Sequence, residues 1–67
     1  MTYEIRIMTA AGHFKTIKTS DFSQACRIYQ KYQRFANQRG IYLKIALWCN
    51  GWLLESATIH QQVGNLS

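Results

Sequence analysis

The order of periodic segments in this chain predicts an α+β domain of the form β-β-α-β-β: a four-stranded antiparallel sheet with one helix packed on one face. Three observations carry that expectation. Tyr3, Ile5 and Ile7 alternate with Glu4, Arg6 and Met8, the period-2 pattern of a strand with one buried side. Apolar residues recur at spacings of three and four from Phe22 to Ala36, as on an amphipathic helix. Asn50-Gly51 separates two β-rich runs, and a type I′ hairpin turn needs positive φ at both central residues, which Asn and Gly tolerate best.

The first strand turns at Thr9-Ala10-Ala11-Gly12-His13 into a second short strand, Phe14 to Lys18. A three-residue loop with Gly12 in the left-handed region places Ile17 on the face of Ile5 and Ile7, whereas a two-residue loop pairs Ile7 with Thr16. Sequence leaves both registers open. Thr19-Ser20-Asp21 then opens the helix, because Asp21 or Ser20 can accept from the free first-turn amides and Gln24 stands where a capping box puts it. The helix is expected from Phe22 to about Gln38. Phe22, Ala25, Ile28, Tyr29, Tyr32, Phe35 and Ala36 form its apolar stripe, and Gly40 ends it with Arg39 beside the negative pole of the dipole.

The closing hairpin runs from Ile41 to Cys49 and from Trp52 to His60. With a two-residue turn Cys49 faces Trp52, Leu47 pairs with Leu54, Ile45 with Ser56 and Leu43 with Thr58. The other face then carries Trp48 with Leu53, Ala46 with Glu55, Lys44 with Ala57 and Tyr42 with Ile59. One helix covers one side of a sheet. The set Ile41, Leu43, Ile45 and Leu47 is expected to meet it, which leaves Tyr42, Trp48, Leu53 and Ile59 as an apolar patch for a partner or a second copy of the chain.

The whole chain, 1–67, reads as a single domain ending in a polar tail at 61–67, without proline, repeat or linker. At 67 residues folding buries only about 60% of the unfolded surface, so the core is thin and association is a natural supplement. An apolar content of 48% excludes a disordered chain. No run approaches the roughly 20 apolar residues of a membrane span, and the start lacks the layout of a signal peptide. A cytoplasmic protein with no membrane partner is expected, with Cys26 and Cys49 reduced and buried.

Eight Lys and Arg against three Asp and Glu give a net charge of +5, a field that favours encounter with phosphate backbones or acidic surfaces. Arg27, Lys31 and Arg34 stand at i, i+4 and i+7, lining one helix face with neighbouring Cβ atoms roughly 5–6 Å apart. Lys44 is a further candidate from the sheet. Catalysis is not expected: the acids are Glu4, Asp21 and Glu55, Asp21 serves as a cap, and nothing local sets Cys26 or Cys49 beside His13 or His60. The four Cys and His residues lack metal-site spacing, and there is no Gly-rich phosphate loop. No metal or cofactor is expected. No helix-turn-helix, zinc-finger or RRM core motif occurs, so nucleic-acid contact would be to the backbone.

The run Thr19-Ser20-Asp21-Phe22-Ser23-Gln24-Ala25-Cys26-Arg27-Ile28, then Gly40-Ile41-Tyr42-Leu43-Lys44-Ile45, then Asn50-Gly51-Trp52-Leu53-Leu54, resembles small phage-encoded anti-CRISPR proteins of the type I-F group. The likeness covers roughly Thr19–Ile59, and the longer helix with Tyr29, Tyr32 and Phe35 departs from it. The resemblance implies a non-enzymatic inhibitor that uses Lys and Arg to block a nucleic-acid site on a host surveillance complex, with Arg27, Lys31 and Lys44 in contact. Two expectations follow. The first is a phage or mobile-element protein that modulates a bacterial host protein or nucleoprotein complex through the basic helix face, the aromatic sheet face or both. The second is a nucleic-acid-binding accessory protein whose basic residues contact phosphates.

Overall fold

The structure is a computed structural model and describes residues 1–60; the expected polar tail, 61–67, lies outside the described residues. The elements are β1 (Tyr3–Thr9), β2 (Phe14–Thr19), α1 (Phe22–Arg39), β3 (Leu43–Cys49) and β4 (Trp52–Ile59). The strands form one antiparallel sheet in the order β2-β1-β3-β4, and the helix lies across one face. The α+β, β-β-α-β-β architecture expected from the sequence is the one observed.

Turn chemistry sets the two hairpins. The Thr9 amide donates to His13 O and the Gly12 amide to Thr9 O, both at 3.0 Å, enclosing a three-residue loop with Gly12 at φ 84°. Met8 therefore faces Phe14 and Ile5 faces Ile17, the first of the two registers left open. At the second turn Asn50 and Gly51 have φ of 49° and 85°, as a type I′ turn demands.

The helix starts at Asp21, whose Oδ1 accepts from the Ser23 amide at 2.9 Å. Gln24 does not close a capping box. Its Oε1 accepts from the Thr19 hydroxyl at 2.7 Å, while the Asp21 amide donates to that same hydroxyl oxygen at 3.2 Å. At the other end Gly40, at φ 62°, donates to Asn37 O, and the Ile41 amide donates to Ala36 O at 3.2 Å, the paired bonds of a Schellman motif.

Ile5, Ile7, Ala25, Tyr29, Ala36, Leu43, Ile45, Leu47 and Ile59 make the core. Ala25 and Ala36 are the small residues that let the helix approach the sheet. Phe22 and Phe35, expected in the buried stripe, are about half exposed. A helix of 18 residues runs about 27 Å, against about 23 Å for a seven-residue strand, so its ends overhang the sheet. Phe22 packs on Tyr3 with centroids 5.4 Å apart, and Phe35 lies under Arg39 at 4.9 Å. Cys26 and Cys49 are free, as expected, but partly exposed, because both sit near the end of the sheet where the helix begins.

The closing hairpin corrects the expected register. Trp48 faces Leu53, but Leu47 faces Glu55, so Leu54 is the extra residue of a β-bulge. Every later pair is shifted: Ala46 faces Ser56, Ile45 faces Ala57, Lys44 faces Thr58 and Leu43 faces Ile59. The expected register would have put Ser56 and Thr58 among the core side chains and Ile59 in water. Burying Ile59 contributes about 1.5–3 kcal/mol, and each buried hydroxyl left unpaired would cost about 1–3 kcal/mol, which outweighs one disrupted ladder step.

Candidate functional site

The bulge changes which residues face outward. Ile59, expected in the docking patch, is 8% exposed and belongs to the core. Tyr42 lies just before β3, partly buried, with its ring edge toward His60 at a centroid distance of 6.4 Å. It does not join Trp48. Leu53 stays on the outer face opposite Trp48 and is 51% exposed. Of the four residues expected in one patch, Trp48 and Leu53 share it.

The outer face of the sheet carries Glu4, Arg6 and Met8 from β1, Phe14, Thr16 and Lys18 from β2, Lys44, Ala46 and Trp48 from β3, and Leu53, Ser56 and Thr58 from β4. It is more polar than expected. At its centre the Arg6 guanidinium lies over the Trp48 ring, 4.4 Å from the centroid. Glu4 Oε1 accepts from Arg6 Nε at 3.2 Å and from Nη2 at 3.1 Å. Beside this stack a groove of about 290 Å³ runs between Phe14 and Trp48 along Met8, Lys44 and Ala46. Phe14 is 67% exposed.

The four cations proposed together from sequence fall on two surfaces. Arg27, Lys31 and Arg34 are exposed on the helix and line a shallow groove of about 420 Å³ with Gln30, Phe35 and Gln38. Lys44 is on the far side of the sheet, because it alternates with Leu43 and Ile45, which face the helix. Reasoning from sequence missed Phe14 and Arg6 as members of the outer site. Phe14 could be placed only once the first loop's length was known, and Arg6 only once β1 was known to pair with β3 as well as β2.

Two of the three acids are engaged within the fold, and Glu55 is exposed. Glu4 holds Arg6 in the one salt bridge among the described residues, Asp21 caps the helix, and Glu55 faces the helix side beside Tyr29, Cys26, Gln30 and Gln33. Lys15, Lys18, Arg27, Lys31, Arg34, Arg39 and Lys44 make no salt bridge to a described carboxylate. Lys15 instead approaches the Tyr32 hydroxyl at 3.4 Å.

Burial pushes the Tyr29 phenol above its ordinary value, and the nearby Glu55 charge adds to the rise. Tyr3 is raised in the same direction by desolvation and then by the adjacent Cys49. Cys49 and the first turns of the helix, with Cys26, lie at one end of the sheet, whereas His13 and His60 lie at the other. No group of three or more His, Cys, Asp or Glu side chains suited to a metal ion occurs among the described residues. No helix among them is long and apolar enough to cross a membrane.

The chain matches no protein-family model, and neither a curated protein nor a solved structure was found similar to it.

Proposed function

We propose that this chain is a non-enzymatic binding module that engages the phosphates of a nucleic acid, either free or carried in a host nucleoprotein assembly whose action it modulates. The observation that carries this reading is the segregation of charge. Glu4 pairs with Arg6 and Asp21 caps the helix, which leaves Glu55 as the one acid without a partner among the described residues, while the cations on two opposite surfaces make no salt bridge to a described carboxylate. A net charge of +5 left on such surfaces attracts a polyanion and releases its counterions on contact. The separation of the thiols from the imidazoles along the sheet also favours binding over catalysis, since a Cys/His mechanism needs the two within hydrogen-bond reach.

Anisotropy titration of labelled single- and double-stranded DNA at about 50 and about 200 mM salt tests the proposal. Binding at the lower salt that weakens steeply at the higher supports it. Absence of binding to either form at the lower salt contradicts it.

A second reading, inhibition of a host assembly by protein contact, draws on Trp52, Leu53 and Leu54, three consecutive large apolar residues that are 77%, 51% and 50% exposed at the start of β4. A cationic stripe is poorly matched to a vacant basic nucleic-acid groove, so in this reading Arg27, Lys31 and Arg34 meet phosphates already bound in the assembly or an acidic protein surface. A homodimer through the same apolar residues is the competing use of that patch. Sedimentation of wild type and Trp52→Ser separates the two: a dimer lost in the variant assigns the patch to self-association, and a monomer in both leaves it to a heterologous partner.

A further inference from the structure

The outer face pairs planar surfaces with cations. Arg6 is fixed from two sides, by the Trp48 ring 4.4 Å beneath it and by two hydrogen bonds to one oxygen of Glu4, so its guanidinium is held as a rigid plate and not as a free charge. Phe14 stands across the groove with most of its ring in water. The floor between them is Ala46, the smallest side chain on that face, and Lys44 stands on the flank next to Met8. Lys18 lies on the same face beyond Glu4.

A flat apolar slot bordered by unpaired cations matches the chemistry of a nucleotide, whose base is planar and whose phosphates are anionic. In a duplex the base faces are hidden in the stack; in a single strand they are available to aromatic rings and guanidinium plates. We infer that the groove between Phe14 and Trp48 is a stacking site for an unpaired nucleobase, with Lys44 and Lys18 reaching the flanking phosphates, so that the chain prefers single-stranded nucleic acid. This rests on the nucleic-acid reading above and adds to it the strand form and the residues that select it.

Trp48 and Trp52 are the two tryptophans of the chain, so Trp52→Phe leaves Trp48 as the sole reporter. In that background, oligothymidylate, a duplex of equal length and thymidine monophosphate are titrated at low salt while Trp48 emission is followed, with anisotropy of labelled oligonucleotides in parallel. The expected result is quenching by the single strand at lower concentration than by the duplex or the mononucleotide. Phe14→Ala, at an exposed position that leaves the melting curve unchanged, weakens single-strand binding by about fivefold or more and leaves duplex binding as it was. Duplex binding that equals or exceeds single-strand binding, a mononucleotide that binds as tightly as the oligomer, or a Phe14→Ala variant with undiminished affinity overturns the stacking site. Should duplex bind without any Trp48 response, the phosphate-binding proposal stands while this site falls; should no nucleic acid bind, both fall.

Discussion

Arg6 and Trp48 are diagonal neighbours on the outer face of β1 and β3, with the guanidinium 4.4 Å from the ring centroid because Glu4, directly opposite Trp48, pulls it that way. Such a stack at a partly exposed site contributes about 0.5–1 kcal/mol, too little to be needed for folding. Arg6→Lys keeps the charge and loses the plate. The expected outcome is a stability change under about 1 kcal/mol in urea melts, with weaker single-strand affinity and an unchanged dependence of log affinity on log salt. Undiminished single-strand affinity in this variant would show Arg6 acting as a point charge that lysine replaces.

Ile5 and Ile45 face the helix from the two central strands with no exposed surface. Ile45→Ala removes buried methyl groups at a cost of about 2–5 kcal/mol, and a domain of this size has only about 3–5 kcal/mol in total. The variant is expected to be largely unfolded by circular dichroism at 25 °C, whereas Ile45→Val, at about 0.5–1.5 kcal/mol, remains folded with a lowered denaturation midpoint.

The β-bulge gives a sharper test. Deleting Leu54 leaves Leu53 opposite Trp48 and Glu55 opposite Leu47 with no extra residue between them, so Ile59 stays in the core. That deletion is expected to fold. Ile59→Ala, at a position that this register buries, is expected to cost about 2–5 kcal/mol, whereas Thr58→Ala on the outer face is expected to change stability by under about 0.5 kcal/mol. Thermal melts of the deletion and the two substitutions compare them directly, and equal damage from Ile59→Ala and Thr58→Ala would contradict the register.

Much of this fold is legible from the sequence because local chemistry dictates it. Asn50-Gly51 fixes one turn, Asp21 and Gly40 fix the helix ends, and Ile5 and Ile7 alternate in step with the sheet. The bulge was not read, because one inserted residue is decided by burial several positions away. The signal is present nonetheless: Ala57 and Ile59 alternate with Ser56 and Thr58 in the phase opposite to that set by Trp52 and Leu54. The same failure put Ile59 in a docking patch, and grouping cations without regard to face put Lys44 with the helix stripe. Arg6 entered the outer site only through a pairing between strands that the helix separates in sequence, which local patterns do not encode, and Phe14 only through the length of the loop at Gly12.

Tyr29 gives the fold a titrating element on the alkaline side. Its phenol is raised above the ordinary 10.0 by burial and by Glu55, so the neutral form is favoured in the folded state. That contribution is fully present below pH 10.0 and is lost as pH climbs through the raised folded value. Wild type is expected to lose stability from about pH 10 upward in urea melts, and Tyr29→Phe to lose less over the same range. Identical alkaline profiles would remove Tyr29 as a cause.

The claim on which the functional account depends is that the outer sheet face, with Arg6, Met8, Phe14, Lys44, Ala46 and Trp48, is the surface that meets nucleic acid. Amide chemical-shift mapping of the labelled chain during titration with a short single-stranded oligonucleotide at low salt tests it most directly. The account predicts shifts concentrated at these residues on β1, β2 and β3, with the exposed helix face following more weakly. Shifts confined to Arg27, Lys31 and Arg34, or a spectrum that does not change, would contradict it.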